Sequence, residues 1–267
     1  VVAPYAAAHA AGRTPNPCVE CNRHLKFDRL LRRARQLGFD AVATGHHARV
    51  RRTGGRYRLL RGADRSKDQS YVLHMLGQDE LTRCRFPVGE MTKAEVRERA
   101  RALGLRTADK PDSQDVCFVG ATGGRAAFLG PRIGLRPGRV VDAGGAEVGR
   151  VDAVELVTVG QRRGLGGGGG ERRYALSVDT ATATVVVGSL AELVVDSVRL
   201  CGLTWTAGER PADGASLLAQ CSAHGRAVEA TLDGSVLRFA EGHRRVAPGQ
   251  SVVLYQGDEV LGGGTAA

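Results

Sequence analysis

Phe27-Asp28-Arg29-Leu30-Leu31-Arg32-Arg33-Ala34-Arg35-Gln36-Leu37-Gly38-Phe39-Asp40-Ala41-Val42-Ala43-Thr44-Gly45 is the stretch that decides the fold. Phe27, Leu30, Leu31, Ala34 and Leu37 recur at helical spacing, with Arg32, Arg33 and Arg35 between them, and Gly38 stands as a helix stop. Phe39 to Thr44 is then a short apolar run ending in Gly45. Helix, glycine, apolar strand, glycine is the rhythm of an α/β unit with a parallel sheet. In such sheets ligands sit beyond the carboxyl ends of the strands, which is where Gly45-His46-His47 falls.

Further along, Thr92 and Glu95 form a capping-box pattern ahead of Val96, Ala100 and Leu103, and Gly104 ends that helix. A polar stretch from Arg106 leads into Cys117 and Phe118, so the α/β region is expected to span 1–121. The texture then changes. Gly123-Gly124, Arg136-Pro137-Gly138 and Gly144-Gly145 are turn signals between short valine-rich runs, which defines a small connecting module over 122–194. Tyr174 to Val178 and Thr184 to Val187 pair as a hairpin. The run Gly166 to Gly170 has little reason to be ordered, and without a following Lys-Ser/Thr or a leading strand it is no phosphate loop. Over 195–267 the strand candidates 217–220, 227–232, 236–239 and 251–255 predict a C-terminal β-barrel.

Lys and Arg number 38 against 28 Asp and Glu, a net charge of +10, which suits a polyanionic partner as well as it suits a scattered arginine surface. Six unevenly spaced cysteines in 267 residues do not resemble a small secreted disulfide scaffold. With no signal-like start and no apolar run near membrane-spanning length, the chain reads as cytoplasmic, with no membrane partner. It opens on Val1 in what looks like mid-helix, which suggests a fragment. The aromatic share of 4% argues against base recognition by many stacking rings and favours shape and phosphate contacts.

The chemistry centres on cysteine, whose thiolate is accessible near neutral pH. Cys18 and Cys21 flank Val19-Glu20 after an Asn16-Pro17 turn, and Cys117 follows a polar loop. Three thiols are one short of a closed structural zinc site. They suit either an iron–sulfur cluster with one open iron, ligated by Cys18, Cys21 and Cys117, or a redox pair of Cys21 and Cys117. Burial as small hydrophobes is the bland alternative, and it fits Cys84, Cys201 and Cys221 better. His46 and His47 point to opposite faces of an extended chain, so a ligand-touching strand-end His competes with a solvent-exposed pair. Lys67-Asp68-Gln69 equips the chain for phosphates and base edges, or merely starts a charged helix.

In order, the segments Gly12-Arg13-Thr14-Pro15-Asn16-Pro17, Cys21-Asn22, Lys26-Phe27, Ala43-Thr44-Gly45-His46 and Lys67-Asp68-Gln69-Ser70-Tyr71 resemble the tRNA-specific 2-thiouridylase family. Phe86-Pro87-Val88-Gly89, Gly160-Gln161-Arg162-Arg163-Gly164-Leu165, Pro248-Gly249-Gln250-Ser251 and Leu261-Gly262-Gly263-Gly264 complete the set over essentially the whole chain. The resemblance implies an adenine nucleotide alpha hydrolase-like α/β domain and a sulfurtransferase acting on the wobble uridine of tRNA. ATP, with Mg2+, adenylates the base, and a cysteine persulfide delivers sulfur. It further implies Cys117 as the persulfide carrier, Cys21 as the partner nucleophile able to close a disulfide with it, and Gly45 as a backbone contact to ATP. Asn16, Pro17, Cys18, His46, Lys67, Asp68, Gln69 and Gln250 match tRNA-contacting positions, and a persulfide relay protein or cysteine desulfurase is implied as sulfur donor. A tRNA-binding module without catalysis is the non-enzymatic alternative.

Three departures from the family pattern stand out. Cys18 occupies a position where many members carry Asp, and Ser222-Ala223-His224-Gly225 stands near an Arg-Tyr pair of other members. The family's opening pyrophosphate loop, of the form S-G-G-x-D-S, has no counterpart in these residues. The expectation is an N-terminally truncated chain that is inactive alone.

Overall fold

The computed structural model describes residues 1–111, 116–166 and 172–267. The polar residues 112–115 ahead of Cys117, and most of the 166–170 glycine run, lie outside the described residues.

Helix α1 (Val2–Ala10) is followed by one continuous helical stretch built of α2 (Pro17–Cys21), a π-helical segment (Asn22–Arg29) and α3 (Leu30–Gln36). Asn16 caps its start by accepting the Cys18 N–H at 3.1 Å, and Pro17 occupies the first turn, where no N–H is needed. Val19, Phe27, Leu31 and Ala34 are its buried face. The stop at Gly38 holds: its φ is +80°, its N–H bonds Arg35 O and the Phe39 N–H bonds Ala34 O. That is a Schellman closure, which needs the left-handed region.

The closure shortens the strand expected over 39–44. Only β1 (Val42–Ala43) pairs, parallel to β4 (Cys84–Arg85), while Phe39 serves the helix end and is 61% exposed. Between them lies an arginine-rich hairpin, β2 (Ala48–Thr53) and β3 (Arg56–Arg61), turned by Gly54-Gly55. A 3-10 turn (Ser70–Leu73) and α4 (Gln78–Leu81) precede β4, and α5 (Lys93–Ala102) follows it. The Thr92–Glu95 capping box forms as expected, with Glu95 Oε2 accepting the Thr92 N–H at 2.7 Å.

Helices α6 (Cys117–Gly120) and α7 (Arg125–Ile133) pack on α1 through Tyr5, Phe118, Val119, Phe128 and Leu129. Next comes a four-stranded sheet in the order β6 (Glu147–Val151), β5 (Gly138–Val141), β8 (Thr184–Gly188), β7 (Tyr174–Asp179), cored by valines and Ala175. The expected β7–β8 hairpin is there.

A short helix, α8 (Leu190–Leu193), enters β9 (Val194–Trp205), β10 (Ser216–Gln220), β11 (Val228–Asp233), β12 (Val236–Arg244), β13 (Ser251–Gln256) and β14 (Glu259–Ala266). These six strands run in the order β13-β10-β11-β12-β9-β14, and the β13–β14 pairing closes the barrel. Closure needs glycine in β14: a Cβ on Gly262 would lie 2.0 Å from Thr204 O, and one on Gly263 2.5 Å from Val252 O.

The hairpin joins the barrel as well, because β3 pairs with β14 at Leu60 and Glu259. One hydrophobic core accordingly runs from Val19, Phe27 and Leu31 through Leu59, Tyr71 and Leu73 to Val253, Tyr255 and Val260. The hairpin arginines are drawn inward by the same junction. Arg49 pairs with Asp258 at 2.8 Å, Arg58 with Glu259 at 2.6 Å and Arg56 with Glu209 at 2.6 Å. Much of this arginine-rich segment therefore serves the fold instead of forming a free cationic surface. Among the described residues no helix is long and apolar enough to cross a membrane.

Candidate active site

The Asn16 cap aims the start of the cysteine helix. Cys18 is exposed and Cys21 half-buried, and the π-helical turn that follows carries buried Asn22 and exposed Lys26. Such wide turns often occur at functional sites. Cys117 begins α6 and is exposed, held in place because Phe118 packs at a tilt on Phe128 (centroids 4.8 Å) and meets Tyr5 edge-on (5.4 Å). Burial pushes the Cys18 thiol up from its ordinary value, Cys21 and Cys117 push it further, and Lys26 opposes them. Cys18 thus lies within electrostatic range of Cys21, of Cys117 far along the chain, and of Lys26. All six cysteines are free thiols. Cys84 and Cys221 are buried, which pushes each up to about 12, while Cys201 is exposed on the barrel.

Among the described residues no three His, Cys, Asp or Glu side chains meet in a way that holds a metal ion. Among the described residues Cys18, Cys21 and Cys117 do not form such a group.

His46 and His47 are not the solvent-exposed pair of one expectation, being 6% and 5% exposed. His46 packs between Phe27 and Phe86, with Thr44 Oγ1 at 2.7 Å from Nδ1 and Lys26 Nζ at 3.5 Å from Nε2. Burial and then Lys26 hold its pKa down to about 4, so it is neutral near pH 7. An ammonium at Nε2 makes that nitrogen the acceptor and leaves Nδ1 to donate to Thr44 Oγ1. Gly89 lets the Phe86–Gly89 turn close on this strand, since a Cβ there would fall 1.8 Å from Ala48 O. Around Gly45, by contrast, a Cβ would meet nothing within 4 Å, so open space faces its main chain.

Gln69 holds the His47 backbone both ways, accepting its N–H on Oε1 at 3.0 Å and donating its own N–H to His47 O at 2.9 Å. Asp68 turns inward. Its oxygens accept from Arg61 Nη1 (2.8 Å), the Gly62 N–H (3.0 Å), the Ser70 N–H (3.0 Å) and Ser70 Oγ (2.9 Å). Arg61 in turn reaches Gln220 Oε1 at 3.1 Å and lies 3.6 Å above the Tyr255 ring. Four accepted hydrogen bonds and a side chain 7% exposed make Asp68 a clamp between the 62–70 loop and the barrel.

The barrel closes the site's other wall. Thr14 donates its N–H to Pro248 O at 2.7 Å, and Gly249 abuts Arg13 and Thr14, which puts half-buried Gln250 beside the cysteine loop. The structure therefore gathers Asn16, Pro17, Cys18, Cys21, Gly45, His46 and Gln250 around one region with Cys117 in electrostatic reach. Lys67 and Gln69 sit on the adjoining loop. The linking roles of Lys26 and Arg61, and the 2.6 Å hydrogen bond that the Tyr71 hydroxyl donates to Ser251 O, were not assigned from the sequence. Only the adjacency of Lys26 to Phe27, and of Tyr71 to Ser70, in recognisable motifs hinted at them.

Three family models match in succession: a tRNA methyl transferase HUP domain over residues 1–121, a tRNA methyl transferase PRC-barrel domain over 126–189 and an aminomethyltransferase beta-barrel domain over 195–266. Among similar proteins, the tRNA-specific 2-thiouridylase MnmA of Roseiflexus sp. (strain RS-1) is 47% identical, covering 97% of this chain and 76% of its own length. The protein of the same name from Chloroflexus aurantiacus is 48% identical over 97% of this chain and 74% of its own length. That from Salinispora arenicola is 49% identical over 100% of this chain and 77% of its own length. The parallel-sheet unit, the middle module and the closed barrel thus occur in one succession with a cysteine loop at their junction, and by this likeness the chain belongs to the tRNA-specific 2-thiouridylase family.

Proposed function

We propose that the chain serves ATP-dependent 2-thiolation of the wobble uridine of tRNA, with Cys117 carrying the sulfur as a persulfide and Cys21 as the partner nucleophile. The observation that supports this best is the cysteine helix itself, with exposed Cys18 and half-buried Cys21 behind the Asn16 cap and the preceding loop held against the barrel's 248–249 turn.

The uridine O2 attacks the α-phosphorus of ATP and pyrophosphate leaves, which converts that oxygen into part of a good leaving group. The terminal sulfur of the Cys117 persulfide then attacks C2, and the C2–O bond breaks to release AMP. The Cys21 thiolate attacks Cys117 Sγ, the S–S bond to the base sulfur breaks, and its electron pair stays on the base as the new 2-thio group. A Cys21–Cys117 disulfide remains and is returned to two thiols by a dithiol reductant. A relay protein or desulfurase reloads Cys117.

Open space at the Gly45 main chain favours that position for ATP, which brings Mg2+ on its phosphates. Neutral His46 steadies the Lys26 ammonium, which favours an anion in front of it. Asn16, Pro17, Cys18, His46, Lys67, Gln69 and Gln250 are proposed to meet the tRNA, with Asp68 contributing through the loop that it holds. Phosphate contacts supply the bulk affinity and make it salt-dependent.

A tRNA carrying a photoreactive uridine at the wobble position, irradiated in complex with the protein, tests this placement. Cross-links to peptides containing Asn16–Cys21 or Gln250 are expected. Cross-links confined to 126–189 would overturn it.

A further inference from the structure

Glu155 is a buried carboxylate, 3% exposed, in the 3-10 turn Val154–Leu156 of the middle module, and the proposed reaction leaves it unused. Both of its oxygens accept from one neighbour. Oε2 takes the Arg136 N–H at 3.0 Å and Oε1 takes Arg136 Nε at 2.9 Å. Burial raises its pKa, but the Arg136 N–H and guanidinium outweigh that and hold it below the ordinary carboxylate value, so the pair is charged near neutral pH. The guanidinium is thereby aimed, and Arg136 Nη2 donates onward to Thr180 O at 2.5 Å, in the turn between β7 and β8.

That turn leans on the cysteine loop. Gly12 closes α1 with φ +70°, its N–H bonding His9 O at 3.0 Å and the Arg13 N–H bonding Ala8 O at 2.9 Å. A Cβ on Gly12 would lie 3.3 Å from Thr180 Cγ2 and 3.3 Å from Val178 O, so the loop's main chain meets the hairpin directly. The 154–156 turn also holds the helix ahead of the loop, since Glu155 O lies 3.3 Å from Nδ1 of His9, itself 2% exposed. The Cys117 side is tied to the same turn. Arg125, at the start of α7, donates Nη2 to Leu156 O at 2.9 Å, and α7 packs on Phe118 through Phe128. One turn of the middle module thus braces both the chain leading to Cys18 and Cys21 and the helix pair that carries Cys117.

We infer that Glu155 is a positioning residue: through Arg136 and Thr180 it holds the β7–β8 hairpin against Gly12 and so fixes the loop that delivers Cys18 and Cys21 relative to Cys117. The consequence for sulfur transfer rests on the function proposed above, whereas the bracing of the loop does not.

Glu155→Gln keeps the side chain's size but leaves one oxygen for two Arg136 donors. Arg136→Lys, at an exposed position, keeps the positive charge and lacks the planar fork that reaches Glu155 and Thr180 together. In hydrogen exchange, each variant should speed the amides of 12–18 about tenfold while strands β10–β12 stay unchanged. The double variant should go no further than the stronger single, because the two residues act in series. In a glutathione redox buffer, oxidised glutathione and the Cys21 and Cys117 thiols exchange to a protein disulfide and two reduced glutathiones. A loosened loop lowers the effective concentration of Cys21 at Cys117, so that equilibrium constant should fall about tenfold, or about 1.4 kcal/mol, in each variant. A carboxylate that merely stabilises the middle module would lower the melting temperature and speed exchange in β5–β8 without moving either readout.

Unchanged exchange over 12–18 in either variant, or additive effects in the double, would overturn the inference. If the wild type forms no such disulfide, the sulfur-transfer proposal fails and the exchange result still decides Glu155. If the disulfide forms and its constant ignores both variants, the inference about Glu155 fails alone.

Discussion

Asp68→Asn separates a structural clamp from a direct tRNA contact. Asp68 and Arg61 lie 2.8 Å apart with side chains only 7% and 12% exposed, so water screens them little. At an effective dielectric of about 20, two charges about 4 Å apart attract by roughly 4 kcal/mol. Desolvation of the pair has already been met on folding, so neutralising one partner strands the other, at a typical cost of roughly 3–5 kcal/mol. Asn retains an oxygen for the Gly62 and Ser70 N–H groups, but its amide would face Arg61 Nη1 and Ser70 Oγ. The lower end, about 3 kcal/mol, is therefore expected. For a chain of this size that corresponds to a fall in melting temperature of roughly 6–12 °C. Thermal unfolding of the wild type, Asp68→Asn, Arg61→Met and the double variant measures it, with the double variant recovering part of the loss because the two residues touch. An unchanged melting temperature in Asp68→Asn, accompanied by weakened tRNA binding, would refute the clamp.

Gly45→Ala should leave the melting temperature unaltered, since a Cβ there meets nothing within 4 Å, while weakening ATP binding measured by calorimetry. Gly262→Ala should destabilise by about 3 kcal/mol or more, because its Cβ would strike the Thr204 carbonyl and no side chain can move to relieve it; denaturant titration reads the loss. His46 and His74 are both buried with pKa values held down to about 4, below the ordinary 6.5. The unfolded chain takes up those protons first, so stability present above pH 6.5 is lost as the pH falls towards 4, by up to roughly 3 kcal/mol for each histidine. A pH series of melting temperatures should show that slope, and His74→Gln should flatten it.

Much of the fold was legible because it was written in local rules. The Gly38 and Gly104 stops, the Thr92–Glu95 box and the β7–β8 hairpin depend on backbone geometry that few residues satisfy, and each formed where expected. Less legible were elements whose sequence obeys a distant partner. The β2–β3 hairpin was not among the strand candidates because Arg49, Arg56 and Arg58 answer Asp258, Glu209 and Glu259 some 150–210 positions away. Strand β14 was not among the strand candidates because its three glycines are demanded by neighbouring backbones, not by its own conformation. Phe39 looked like strand and instead finishes a helix.

The site divides along the same line. Cysteine chemistry and the motif order pointed to the loop, where the structure sets Cys18 within electrostatic range of Cys21 and Cys117. The inward turn of Asp68 and the bond from Tyr71 to a main-chain oxygen had no sequence signal. Ser251 contributes only its carbonyl, which every residue possesses.

The sulfur-carrier assignment is tested most directly by intact-protein mass spectrometry after exposure to a persulfide donor, on the wild type, Cys117→Ser and Cys21→Ser. A one-sulfur increment present in the wild type and Cys21→Ser and lost in Cys117→Ser is predicted. An increment that survives Cys117→Ser, or is absent from the wild type, would contradict Cys117 as the carrier.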